Sequence, residues 1–224
     1  MIDNEHMVPV NICSSMTPIS QEIAHLLLDI GAVVLRPDQP FTWASGIQSP
    51  IYCDNRLLMS HPEARRKVRE AFIQLFKEKA PDCELVAGVA TGAIPHAAWV
   101  SERLNKPMVY IRDAAKEHGK QNLVEGKVAA GAKAVVIEDL VSTGGSSVAA
   151  VEALRNAGAK VEHCFAIFSY GFPEALKKFA AIQCALTPLT DFTTLLQIAK
   201  ESRIIKADQE SLLKKFAADP WHWQ

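Results

Sequence analysis

No stretch of this 224-residue chain reads G-x-x-x-x-G-K-[ST] or G-x-G-x-x-G, which excludes a nucleoside triphosphate P-loop and a dinucleotide fingerprint. Paired cysteines are lacking as well. The five present, Cys13, Cys53, Cys83, Cys164 and Cys184, are odd in number and scattered, with no C-x-x-C and no histidine at ligand spacing. Buried or free thiols in a reducing cytoplasm are expected, rather than a disulfide framework or a zinc site. Residues 1–17 lack a basic start and a continuous apolar core, so no signal peptide is expected, and no segment is long and apolar enough to span a bilayer. Net charge is also nearly absent, at −1, and no polybasic run occurs. Neither nucleic acid nor a membrane surface is therefore an expected partner.

What is present suits one globular domain over residues 1–224, with 49% hydrophobic and 22% charged residues. Ile23, Leu26, Leu27, Ile30 and Val34 share one helical face, which predicts a first helix over about residues 18–35 with Ser20 as its cap. A hairpin is expected next, its strands at 41–45 and 50–53 and its turn at 46–49. A helix over about 62–79 follows. Apolar strands and helices then alternate: strand 85–89, helix 94–104, strands 108–111 and 134–137, a helix ending at 157, and strand 164–168. This alternation predicts an α/β fold with a central parallel sheet covered on both faces, and ligands beyond the carboxyl ends of its strands. Residues 114–123 are poor in apolar side chains and read as an exposed loop. Two more helices are expected after Thr190, the last from near Asp208 to before Pro220, with Trp221 and Trp223 packed back on the body.

The most informative stretch is Val135-Val136-Ile137-Glu138-Asp139-Leu140-Val141-Ser142-Thr143-Gly144-Gly145-Ser146-Ser147. A β-branched run ends in two acids, and a Ser/Thr/Gly turn opens directly into a helix. Exposed N–H groups of such a turn and the helix dipole favour a phosphate there. The two carboxylates cannot bind phosphate, so they face ribose hydroxyls, a Mg²⁺ ion or a developing cation. A second constellation, Arg112, Lys116, His118 and Lys120, begins where a strand ends at the same edge of the sheet. Several cationic donors on one loop suit a polyanionic leaving group.

The first stretch resembles the phosphoribosyl pyrophosphate signature of the type I phosphoribosyltransferases. Arg112-x-x-x-Lys116-x-His118-Gly119, followed by Val124-Glu125-Gly126, is similar to the catalytic loop of the orotate phosphoribosyltransferases within that family. Phe41-Thr42-Trp43-Ala44-Ser45-Gly46, continued by Ser49-Pro50-Ile51-Tyr52-Cys53-Asp54-Asn55-Arg56, looks like the family's N-terminal hood, contributed here by about residues 18–60. Gly88-Val89-Ala90-Thr91-Gly92-Ala93-Ile94-Pro95 resembles its pyrophosphate-lining segment. The resemblance covers roughly residues 18–200 and implies the type I phosphoribosyltransferase fold.

It also implies transfer of a 5-phosphoribosyl group from phosphoribosyl pyrophosphate to orotate, with Mg²⁺ as cofactor. Glu138, Asp139, Leu140, Val141, Ser142, Thr143, Gly144, Gly145 and Ser146 would hold the sugar phosphate. Arg112, Lys116 and His118 would close over the pyrophosphate, and they join Glu138 and Asp139 as the catalytic set. Mg²⁺ would be held through the substrate near Glu138 and Asp139 rather than by a direct protein site. Orotate recognition would rest on backbone groups, on Ser142, or on the hood at Ser45 and Gly46, because Ser169-Tyr170-Gly171 stand where some members carry a base-recognising arginine. Asp113, Gly92 and Gln48 stand where many members have lysines. A homodimer with shared active sites is implied too. Alternatives are transfer to another nucleobase, and a non-catalytic regulator that senses the sugar diphosphate. The remaining histidines, His6, His25, His61, His96, His163 and His222, read as surface or core residues.

Overall fold

The computed structural model describes residues 16–43, 46–112 and 123–223. The first helix, α1 (Pro18–Asp29), starts at Thr17, whose Oγ1 accepts from the Ser20 N–H at 3.1 Å. Ser20 is therefore inside the first turn, and its own hydroxyl donates to the Thr17 carbonyl at 2.9 Å. The helix begins at Pro18 as expected, where a proline at the first helical position loses no bond, but its cap is Thr17 rather than Ser20. The helix also stops short of the expected residue 35. Gly31 takes a left-handed φ of 71°, and Val33–Leu35 leaves as strand β1.

Strand β1 pairs antiparallel with β4 (Ile51–Cys53), matching Val33 with Cys53. Between them β2 (Phe41–Thr42) and β3 (Gln48–Ser49) form a separate small hairpin, with Phe41 opposite Ser49. The expected hairpin between 41–45 and 50–53 is thus two antiparallel pairs. Pro50 explains the division, since it has no N–H to continue a ladder between the two pairs. A 3-10 helix (Asn55–Ser60) and α2 (Pro62–Lys79) complete the N-terminal third.

The main sheet contains β5 (Leu85–Val89), β6 (Met108–Ile111), β7 (Val124–Glu125), β8 (Lys133–Val141), β9 (Lys160–Ser169) and β10 (Ala185–Asp191). Its order is β10-β9-β8-β5-β6-β7, parallel throughout except that β7 runs antiparallel to β6. Helices α3 (Ile94–Leu104), α4 (Gly145–Asn156) and α5 (Pro173–Ala181) connect the strands, and α6 (Phe192–Glu201) and α7 (Ala207–Ala218) end the chain. The expected α/β class and parallel sheet are found. Strand β10 and helix α5 were not anticipated, because Thr187-Pro188 interrupts the apolar pattern. Pro188 is tolerated because β10 is an edge strand.

After β5 the chain crosses through α3 to β6, and after β8 it crosses through α4 to β9, in the opposite direction. Right-handed crossovers then put α3 and α4 on opposite faces, and the switch point lies between β5 and β8. All five residues of β5 and Ala134–Ile137 of β8 are buried, as a doubly covered strand requires. Strand β8 runs four residues past Ile137, where the sequence pattern had it end. Its pairing with β5 stops at Gly88–Ile137, whereas its pairing with β9 continues through Glu138–Ala166 to Val141–Ser169. The acidic pair therefore stands at a strand end that is held on one side only.

Candidate active site

Glu138 and Asp139 are successive residues of a strand, so their side chains take different sides. Glu138 turns to α4. Its Oε2 accepts from the Ser147 hydroxyl at 2.8 Å, its Oε1 accepts from the Asp139 N–H at 3.1 Å, and its side chain is buried. Burial, with the neighbouring Asp139 charge, pushes its pKa well above the ordinary carboxylate value. Asp139 lies against the turn that follows β5: a Cβ added to Gly92 would overlap its carboxylate. Burial raises the Asp139 pKa as well, opposed by hydrogen bonding and by the charge of Arg56. Asn55, itself buried, donates from Nδ2 to the Asp139 carbonyl at 2.6 Å. The hood's last turn is thereby tied to the acidic strand.

The turn after β8 leads into α4 through Gly144, which has φ 76° and supplies no side-chain cap. The first N–H groups of α4 therefore have no capping side chain, and a helix start of that kind can meet an anion. Gly145 and Ser146 are exposed there. Gly144 is buried from below, where an added Cβ would come within 3.2 Å of Ala175 of α5. Leu140 and Val141 act as strand residues: both pair with β9, and the Val141 carbonyl accepts from the Tyr170 N–H at 3.0 Å.

Across the switch point, the turn that follows β5 has a cis peptide between Ala90 and Thr91. Arg112 opens the loop beyond β6. Its N–H donates to the Leu123 carbonyl at 2.9 Å, and its guanidinium is 3.6 Å from the Glu125 carboxylate, so the two ends of the loop are joined. Lys116 and His118 of the cationic loop, and Ser45 of the hood, lie outside the described residues. Gly46 is exposed at the hood turn, with φ 86°, and its N–H donates to the Trp43 carbonyl at 2.9 Å.

Two contributors carry no signal in the sequence, Ser147 and Asn55. Ser147 lies one residue past the expected cradle, and its hydrogen bond to Glu138 has no local signature. Asn55 sits in the hood motif, but nothing in the sequence pairs it with Asp139. Trp223 is buried at 6% exposure and Trp221 is exposed at 56%, so only one of the two indoles packs back as expected. His96 lies in the first turn of α3, and burial lowers its pKa to about 4. It is a neutral core residue.

The phosphoribosyl transferase domain family matches residues 57–191, the span that carries the main sheet, the acidic pair and the turn at Gly92. An orotate phosphoribosyltransferase of Enterococcus faecalis is 50% identical over 208 residues, covering 93% of this chain and 99% of that protein. The chain belongs to the orotate phosphoribosyltransferases. Its relative from Bacillus cytotoxicus is 48% identical over 202 residues, 90% of this chain and 96% of that one. Among solved structures, the orotate phosphoribosyltransferase of Aeropyrum pernix superposes with a TM-score of 0.72 at 28% identity, over 82% of this chain and 99% of the other. Leishmania donovani UMP synthase gives 0.73 at 29% identity over 88% of this chain, which spans 42% of that longer protein.

In this family setting Gly92 makes physical sense as a departure. A side chain at that position would have to displace the Asp139 carboxylate, so glycine suits this arrangement of the acid. Among the described residues no cluster of three or more His, Cys, Asp or Glu could hold a metal ion, and no helix is long and apolar enough to cross a membrane.

Proposed function

We propose that this chain transfers the 5-phosphoribosyl group of phosphoribosyl pyrophosphate to a nitrogen of orotate, giving orotidine 5′-phosphate and pyrophosphate in pyrimidine synthesis. The observation that carries the reading is the one-sided end of β8: Asp139 lies against the Gly92 turn, while Glu138 beside it is tied to Ser147 in the first turn of α4. Membership of the orotate phosphoribosyltransferases supplies the acceptor.

The C1–oxygen bond to the diphosphate breaks and a C1–nitrogen bond forms, through a state with positive charge on the sugar. Ser142, Thr143, Gly144, Gly145 and Ser146 cradle the 5′-phosphate and fix the ribose. Asp139 meets the sugar hydroxyls and lies near the developing cation, while Glu138, held by Ser147, supports it from beneath. Arg112 anchors the loop that brings Lys116 and His118 over the leaving pyrophosphate and excludes water. Orotate lies under the hood turn at Ser45 and Gly46, beside Ser142. The donor chemistry fits a Mg²⁺ ion that would arrive on the diphosphate, with the Asp139 carboxylate, backed by Glu138, as the nearby oxygen donor; when bound it would neutralise diphosphate charge. The enzyme works as one domain in the cytoplasm, as a homodimer whose loop reaches the neighbouring subunit's site.

Mixing the purified protein with phosphoribosyl pyrophosphate, Mg²⁺ and orotate should give rapid loss of orotate absorbance, with no turnover of adenine, hypoxanthine or uracil. Turnover of another base would overturn the acceptor assignment, and binding of the sugar diphosphate without turnover would make the protein a sensor. Lys116→Ala should lower turnover by a factor on the order of 100, as loss of transition-state charge stabilisation does.

A further inference from the structure

The hood has little of its own to hold it over the sheet. Strands β2 and β3 pair over two residues each, and Gly46 at their turn is exposed. So short a hairpin is not stable by itself. The other end of the chain supplies what it lacks. Beyond α7, the Trp221 N–H donates to Asp219 Oδ1 at 3.1 Å and His222 Nδ1 lies 2.9 Å from Asp219 Oδ2, which curls the tail and turns Trp223 inward. The Trp223 indole N–H donates to the carbonyl of Gln48 at 2.7 Å. Gln48 is the β3 residue opposite Thr42, and its side-chain amide also donates to the Thr42 hydroxyl, at 2.9 Å.

The rings make a continuous path from tail to sheet. Phe216 of α7 meets Trp223 edge-on at 5.7 Å and Trp43 at 6.0 Å, and Trp43 packs on Tyr170, directly after β9, at 5.2 Å. Trp43 is also the residue whose N–H donates to the Ile47 carbonyl at 2.9 Å, closing the hood turn. At the start of α7, Gln209 donates from Nε2 to Asp38 at 2.7 Å, in the connection between β1 and β2. Both ends of α7 therefore grip the hood.

The geometry points to Trp223 and Phe216 as positioning residues that set how much of the time the hood turn is seated over the base site. Neither ring need touch a substrate. An apparent affinity falls in proportion to the fraction of molecules in the competent arrangement, so loosening this brace weakens the ligand under the hood and spares the one on β8 and α4. The inference rests on the reading that orotate is the ligand under the hood.

Steady-state kinetics on the full chain, with each substrate varied in turn and thermal unfolding followed alongside, test it. Trp223→Phe keeps the ring and loses the donor, and should raise the KM for orotate about fivefold, the worth of one net hydrogen bond. Trp223→Ala should raise it roughly tenfold or more, since small displacements of a positioning element carry large kinetic costs. Gln209→Ala should move it about twofold, as one exposed hydrogen bond does. The KM for phosphoribosyl pyrophosphate should stay within about twofold in all three, because its partners lie on the other side of the cleft. A tail with a merely structural role would lower the unfolding midpoint and the active fraction and leave both KM values unchanged, which overturns the inference. If Trp223→Ala does not fold, Trp223→Phe and Gln209→Ala decide. Absence of orotate turnover in the unmodified protein would overturn the acceptor assignment and this inference together, whereas normal turnover with unmoved KM values would overturn this inference alone.

Discussion

The two walls of the cleft are held in different ways. On the sugar side, the bond that fixes Glu138 joins residues nine positions apart, through the Ser147 hydroxyl in the first turn of the very next helix. On the base side, the bond that fixes the hood joins residues 175 positions apart, from Trp223 to Gln48. One wall is a strand, a turn and a helix that follow one another in the chain. The other is a short hairpin that depends on the opposite end of the sequence. Groups that must meet a fixed phosphate and a developing charge gain from being set on rigid, local elements. A roof that admits and releases a base gains from being held less firmly.

Substitutions on the sugar side should cost most. Asp139→Asn removes the charge proposed to face the sugar and should lower kcat/KM for phosphoribosyl pyrophosphate by about 100-fold, a typical loss for transition-state charge stabilisation. Unchanged kinetics would make the acidic pair structural. Gly92→Ala should follow, with a loss of about tenfold in turnover at a nearly normal unfolding midpoint, because the new methyl group occupies the place of the Asp139 carboxylate. Full activity would show that Asp139 works from a different position.

Asn55→Ala cuts the tie between the two walls. The Asp139 carbonyl loses its partner. Chemical denaturation should report a loss of about 1–3 kcal/mol, the cost of a buried group left unpaired. A stability change without any kinetic change would mean that the tie does not set the position of the strand end. The smallest effect at neutral pH should come from His96→Phe. Burial lowers the His96 pKa from 6.5 to about 4, so protonation favours the unfolded chain. Its contribution to stability is present above pH 6.5 and is lost as pH falls toward 4. The variant should lack that fall and gain, relative to the parent, roughly 3 kcal/mol by the acid end of the window. Glu138, whose pKa is raised, acts in the reverse sense in both proteins and cancels in the comparison.

The same contrast explains what could be read from the residues alone. Helices α2 and α3 and strands β5 and β6 were anticipated with their observed boundaries, because long apolar periodicities and buried β-branched runs are local signals. The cradle was readable for the same reason: acids, turn and helix start are contiguous. What failed depended on distant partners. Val33 and Val34 continue a helical pattern, and only the presence of Ile51–Cys53 draws them into a strand. Strand β10 has a proline that is acceptable only at a sheet edge, which its own residues do not reveal. Asn55 and Ser147 are polar residues of ordinary kind until the fold gives them Asp139 and Glu138, and Trp223 packs back as expected but on a Gln48 carbonyl that its own sequence does not name.

Calorimetric titration of phosphoribosyl pyrophosphate with Mg²⁺ into Asp139→Asn and Trp223→Ala, beside the unmodified protein, tests the division between the walls without any turnover. Affinity should fall about tenfold or more in Asp139→Asn, as loss of a charge-assisted contact requires, and remain close to the parent value in Trp223→Ala. Equal losses in both, or a loss confined to Trp223→Ala, would contradict the account that β8 and the start of α4 hold the sugar diphosphate independently of the hood.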